Sequence, residues 1–172
     1  MKRSIWRYGV GLFAACMLIG CGWLPAISGA QKTTDDRGGV IVSHGGAVRD
    51  HVSLVDELRR RGLSVDIGGE VQQPFLRAKG TLLRLAGGGL EQPAEIQSYN
   101  YDDTDLGMDG IKAATADAEA IGPDGSTRTM QISWTGTPHF FRKERVIVIY
   151  VGEDQAVLDH LTEALGPQFA GG

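Results

Sequence analysis

Residues 146–151 read VIVIYV, six apolar side chains in succession. An extended strand turns alternate side chains to opposite faces of its sheet, so this run presents apolar surface on both sides. Such a strand belongs at the centre of a sheet rather than at its edge. The preceding PHFFRK is also largely apolar, and the charged pair Lys143-Glu144 between the two marks a tight hairpin. If helices cover one face of that sheet only, the other face leaves side chains open to solvent. Trp134, Phe141, Val148 and Tyr150 form the expected contact surface, because exposed apolar patches commonly mark partner or ligand surfaces. The tether, the second helix or an extra strand would instead close that face.

The rest of the pattern supplies helices and further strands. RDHVSLVDELRRRG reads as a helix with Asp50 as N-cap, Gly62 after its last turn and Val52, Leu54, Val55 and Leu58 on one arc. Leu63, Val65 and Ile67 alternate with polar residues, while VQQPF carries Pro74 and belongs at an edge or a bulge. GTLLRLAGGG and AEIQSYNYDD are expected strands. A second helix is expected from about Asp109 to Ala120, with Ile111, Ala114, Ala118 and Ile121 facing inward and Gly122-Pro123 stopping it. TRTMQISW reads as a strand. DQAVLDHLTEALGP closes the chain as a helix capped by Asp154 and lined by Leu158, Leu161 and Leu165. This order predicts an α+β fold: a single domain over about residues 39–172, with helices packed on a mainly antiparallel sheet.

The amino terminus carries a different signal. MKRSIWR has three positive charges, and YGVGLFAACMLI at 8–19 is uncharged and largely apolar, the make-up of a secretory signal peptide. The stretch ends in Leu18-Ile19-Gly20-Cys21, which resembles the lipobox of bacterial lipoprotein precursors: an aliphatic residue, a tolerant position, a small residue, then cysteine. The resemblance implies a diacylglycerol thioether on Cys21, cleavage after Gly20, and a lipid bilayer as the first partner. Stable anchoring takes two or more acyl chains, which that modification supplies. Three other accounts compete: an ordinary signal peptide cut after Ser28-Gly29-Ala30, an uncleaved span from Tyr8 to Gln31 weakened by its glycines and Pro25, or no targeting signal at all. Residues 21–38 would then be the lipidated cysteine and its tether. The expected location is extracytoplasmic, on an inner or outer membrane; Gly22 after the cysteine differs from the aspartate that retains many lipoproteins in the inner one.

Loss of residues 1–20 moves the net charge from −4 to −7 and leaves Cys21 as the only cysteine. No internal disulfide is then available, so the fold must rest on its apolar core. An acidic domain argues against nucleic acid as a partner. The mature region also resembles an uncharacterised class of small exported bacterial domains, through LVDELRRRG, GEVQQPF, Trp134, PHFFRKERVIVIYVG and LGPQFAG. That resemblance implies no activity.

Motifs for chemistry are sparse. His44-Gly45-Gly46 is similar to the oxyanion-hole glycines of some lipases, but no G-x-S-x-G nucleophile elbow accompanies it. The four histidines show no H-x-x-x-H spacing. YDDTDLGMDG fails the calcium-loop template, with Met108 where glycine is required and Ala114 where glutamate is. The expected function is that of a lipid-anchored, non-catalytic domain without cofactor or metal, binding a protein or a small apolar ligand. Two alternatives stand beside it: a hydrolase or metal-dependent enzyme using His44, His51 and nearby carboxylates, and a structural or assembly lipoprotein.

Overall fold

In the computed structural model, residues 46–102, 107–127, 130 and 132–172 are described in full, and 32–34 and 40–42 as backbone. Cys21, His44 and nearly all of the expected tether lie outside the described residues. Strands β1 (Lys32–Thr34) and β2 (Val40–Val42) pair antiparallel as a separate two-stranded ribbon.

Helix α1 (His51–Arg60) begins where the sequence places it. Asp50 accepts from the Ser53 amide at 2.9 Å while the Ser53 hydroxyl accepts from the Asp50 amide at 3.0 Å, a reciprocal cap of the first turn. Strands β3 (Leu63–Val71), β4 (Gly80–Gly87) and β5 (Ala94–Asn100) follow as a meander. Helix α2 (Gly110–Glu119) leads to the β6 (Pro138–Lys143) and β7 (Val146–Val151) hairpin, then helix α3 (Gln155–Leu165) and the two-residue β8 (Ala170–Gly171). The sheet order is β3-β4-β5-β7-β6-β8, antiparallel throughout. The fold is α+β, with β7 flanked by β5 and β6. Among the described residues the β3 edge is paired on one side only, and its register shifts between Ile67 and Glu70 around Gly68-Gly69, a bulge that bends the rim.

Both sheet faces carry packed helices. Leu83, Leu85, Ile96, Phe141, Val146, Val148 and Tyr150 pack beneath Leu54, Val55 and Leu58 of α1 and Val157, Leu161 and Leu165 of α3. On the opposite face Tyr99, Phe140, Ile147 and Ile149 pack with Ala113, Ala114 and Ala118 of α2 and with Leu76 and Ala78 of the β3–β4 connection. Small alanines let α2 lie close to the bulky sheet residues. Gly80 stands opposite Tyr99 with the ring laid across it, where a Cβ would come within 2.6 Å.

Three expectations require correction. Val52 is exposed, so the buried arc of α1 is Leu54, Val55 and Leu58. Ile111 is exposed as well; α2 is rotated so that Asp117 points inward with Ala113 and Ala114. The cause is a buried clamp. The Asp117 carboxylate accepts from the Tyr101 hydroxyl at 2.7 Å, the Arg77 amide at 2.9 Å and the Arg77 guanidinium at 2.8 Å. Lastly, TRTMQISW does not join the sheet: among its described residues Thr127 makes an isolated bridge to Ile121 and 132–134 are irregular. The place beside β6 is taken by β8 from the carboxyl terminus.

Truncation of a fully buried aliphatic chain removes its transfer energy and leaves a cavity. Ile149→Ala is expected to lower the unfolding free energy by about 2–5 kcal/mol in denaturant titration. A loss near zero would mean that this face is not packed.

Candidate functional site

The expected contact surface is not a surface. Phe141 is 1% exposed, Val148 is 0% and Tyr150 is 5%, all sealed under α1 and α3. Phe141 and Val148 are cross-strand partners on one face, whereas Trp134 packs against the other, half-buried between Phe75 and Phe140. The residues do not converge, because the helices fall on both sides of the hairpin: α1 and α3 on one, α2 on the other.

The histidines serve as structural ties. His51 Nδ1 lies 3.2 Å from the Ser98 hydroxyl, and its amide donates to Asn100 at 3.3 Å. A Ser–His pair has the composition of an activated nucleophile, yet Ser98 is only 1% exposed, beneath α1, where no substrate reaches it. His139 bridges Gln168 and the Gly152 carbonyl and stacks on Tyr150. His160 contacts the Gly88 carbonyl at 2.8 Å. Among the described residues no three His, Cys, Asp or Glu side chains gather to hold a metal ion. His44 lies outside them, so the expected pairing with His51 has no geometry here.

An open site lies where α2 leaves the sheet uncovered. Leu82 of β4 and Gln97 of β5 are cross-strand neighbours and line a groove of about 350 Å³ together with Val151, Gln73 and Trp134. Glu95, Ile132, Ser133 and Thr135 are the other described lining residues. The volume falls within the range of small-molecule sites.

Gln97 is the fixed point of the groove. Its side-chain carbonyl accepts from the Tyr99 hydroxyl at 2.7 Å and from the Gln73 amide at 3.1 Å. Burial pushes the Tyr99 phenol well above its ordinary range, against a smaller opposing effect of the Gln73 hydrogen bond, so Tyr99 remains a donor. With the carbonyl doubly engaged, the Gln97 NH2 is left for a ligand, and the carbonyl of Gln73 is left as an acceptor. Trp134 is held by edge-to-face contacts with Phe75 at 6.2 Å and Phe140 at 5.7 Å. Glu95 on the rim is paired with Arg84 at 2.8 Å. Of these residues the sequence singled out only Trp134. Gln73 and Gln97 are 24 positions apart and meet through strand pairing alone.

A second, wider depression at the end of the sheet is lined by Arg84, Glu91, Glu95, Glu153 and Asp154, and is more open to solvent. No helix among the described residues is long and apolar enough to cross a membrane. No protein family, curated protein or solved structure matches the chain.

Burial holds the His51 imidazole below its ordinary range, against a smaller opposing pull from the Asp50 carboxylate. The folded state thus prefers the neutral ring. Below about pH 6.5 the unfolded chain binds a proton that the folded chain does not, so stability falls with pH until the folded ring also protonates. The drop in thermal midpoint between about pH 7 and about pH 5.5 is expected to be smaller in His51→Gln than in the parent. Equal drops would assign the acid sensitivity to other groups.

Proposed function

We propose that this chain is an exported lipoprotein, fastened to the extracytoplasmic side of a bacterial membrane through acylated Cys21, whose folded part binds a ligand and performs no chemistry. The anchor is supported by the basic start, the apolar 8–19 stretch and Leu18-Ile19-Gly20-Cys21. The binding role is supported by one observation above the others: the groove beside Trp134, in which Gln97 is oriented by Tyr99 and Gln73 with its NH2 unused. A half-buried tryptophan beside a fixed, unsatisfied amide is an arrangement that a purely structural face does not need. The resemblance to small exported bacterial domains accords with this role and adds no activity to it.

Expression of the full chain in a bacterium that processes lipoproteins tests the anchor. Intact-mass analysis is expected to give a chain beginning at Cys21 with added acyl mass, recovered with the membranes. Cys21→Ala is expected to abolish both the acyl mass and the cleavage after Gly20. A mature chain starting beyond Cys21, or one retaining residues 1–20 in the parent, would refute the anchor.

A further inference from the structure

The chemistry of the groove specifies its occupant more narrowly. We infer that the groove lined by Trp134, Gln97, Gln73 and Leu82 binds an uncharged saccharide, an assignment that rests on the binding role proposed above. Three features carry it, and each excludes a different kind of ligand.

The first is charge. The described lining residues include one ionisable group, Glu95, and Arg84 already pairs it at 2.8 Å. No cation is among the described lining residues to hold a phosphate or carboxylate, and the one described anion is already paired, so these residues favour an uncharged ligand. The second is the backbone beneath. Leu82 and Gln97 are mutually paired interior positions of the sheet, and β5 is paired on its other side by β7. Gln97 is flanked by Leu82 on one side and Ile149 on the other, so an extended peptide cannot add as a strand beside β5 at this place.

The third is the pairing of an aromatic wall with fixed amides. A pyranose ring has an apolar face of C–H groups and a rim of hydroxyls, each both donor and acceptor. Trp134, Leu82 and Val151 offer apolar surface to that face. The Gln97 NH2 offers two donor hydrogens and the Gln73 carbonyl an acceptor, close enough for adjacent hydroxyls because the two side chains are themselves bonded at 3.1 Å. The cost of ordering Gln97 is met in the free protein, since Tyr99 and Gln73 already hold it.

The test uses the full chain in detergent micelles, titrated by calorimetry and by proton–nitrogen NMR with cellotetraose and with chitotriose. Saturable binding of either sugar is expected, with a shift at the Trp134 indole N–H. Trp134→Ala is expected to weaken it by about tenfold or more. Gln97→Glu keeps both acceptor contacts to Tyr99 and Gln73 but replaces the free NH2 by an oxygen; about a tenfold loss is expected, the equivalent of one good hydrogen bond. If Trp134→Ala loses its fold, Gln97→Glu decides the matter alone. Co-sedimentation with insoluble chitin or cellulose separates a polymer-borne saccharide from a free one. Absence of binding by both sugars, or binding unchanged in Gln97→Glu, overturns the assignment. Membrane recovery of the same preparations reports the anchor separately, and an indole shift with a non-sugar ligand would keep the binding role while rejecting the saccharide.

Discussion

Everything in this molecule is arranged around the need to hide β7 from water on two sides at once. Val146, Val148 and Tyr150 face one layer of helices, and Ile147 and Ile149 face another. At about 25 cal/mol per Å² of apolar area removed from water, leaving either side bare would forfeit several kilocalories from a single strand. The chain therefore sends α1 and α3 to one face and α2, with the β3–β4 connection, to the other. The flanking strands β5 and β6 inherit the same double cover, which is why Ile96 and Phe141 are buried on one side and Tyr99 and Phe140 on the other.

Much of this was legible in the order of residues. The α+β class, the approximate bounds of the three helices, the caps at Asp50 and Asp154, and the β6–β7 hairpin all follow from short-range chemistry: capping side chains, glycine stops and apolar period. What escaped was long-range. Helical periodicity alone favours Ile111 over Asp117 as an inward residue, because it cannot see Tyr101 and Arg77 waiting for the carboxylate. Likewise, the strand propensity of TRTMQISW is real, but the sheet edge it would need is occupied by β8, so Trp134 instead lies over the sheet face. Phe141 and Trp134 look alike in sequence; hairpin parity puts Phe141 under α1 and α3, while Trp134, outside the sheet, packs over the other face.

The same two displacements create the groove. Ten residues of α2 shield part of the lower face and stop short of Leu82 and Gln97. The Trp134 segment, excluded from the sheet, forms a wall there. Tyr99, lying over Gly80, brings its hydroxyl to the Gln97 carbonyl and leaves the amide facing outward. Leu82 and Gln97 belong to no motif, and Gln73 and Trp134 were visible only through a resemblance that implies no activity and, for Trp134, as an aromatic of the expected contact surface, so the site had no chemical signature to find.

The bent rim at β3 has a bearing on how copies of this protein coexist. Strand edges attract one another through unpaired amides and carbonyls, and they do so most readily when straight and uncharged. Here Gly68 and Gly69 kink the ladder, and Asp66 and Glu70 stand exposed on either side of them, Glu70 paired with Lys79 at 3.3 Å. A crooked border of this kind, studded with charged side chains, gives a second copy a poor template for strand pairing.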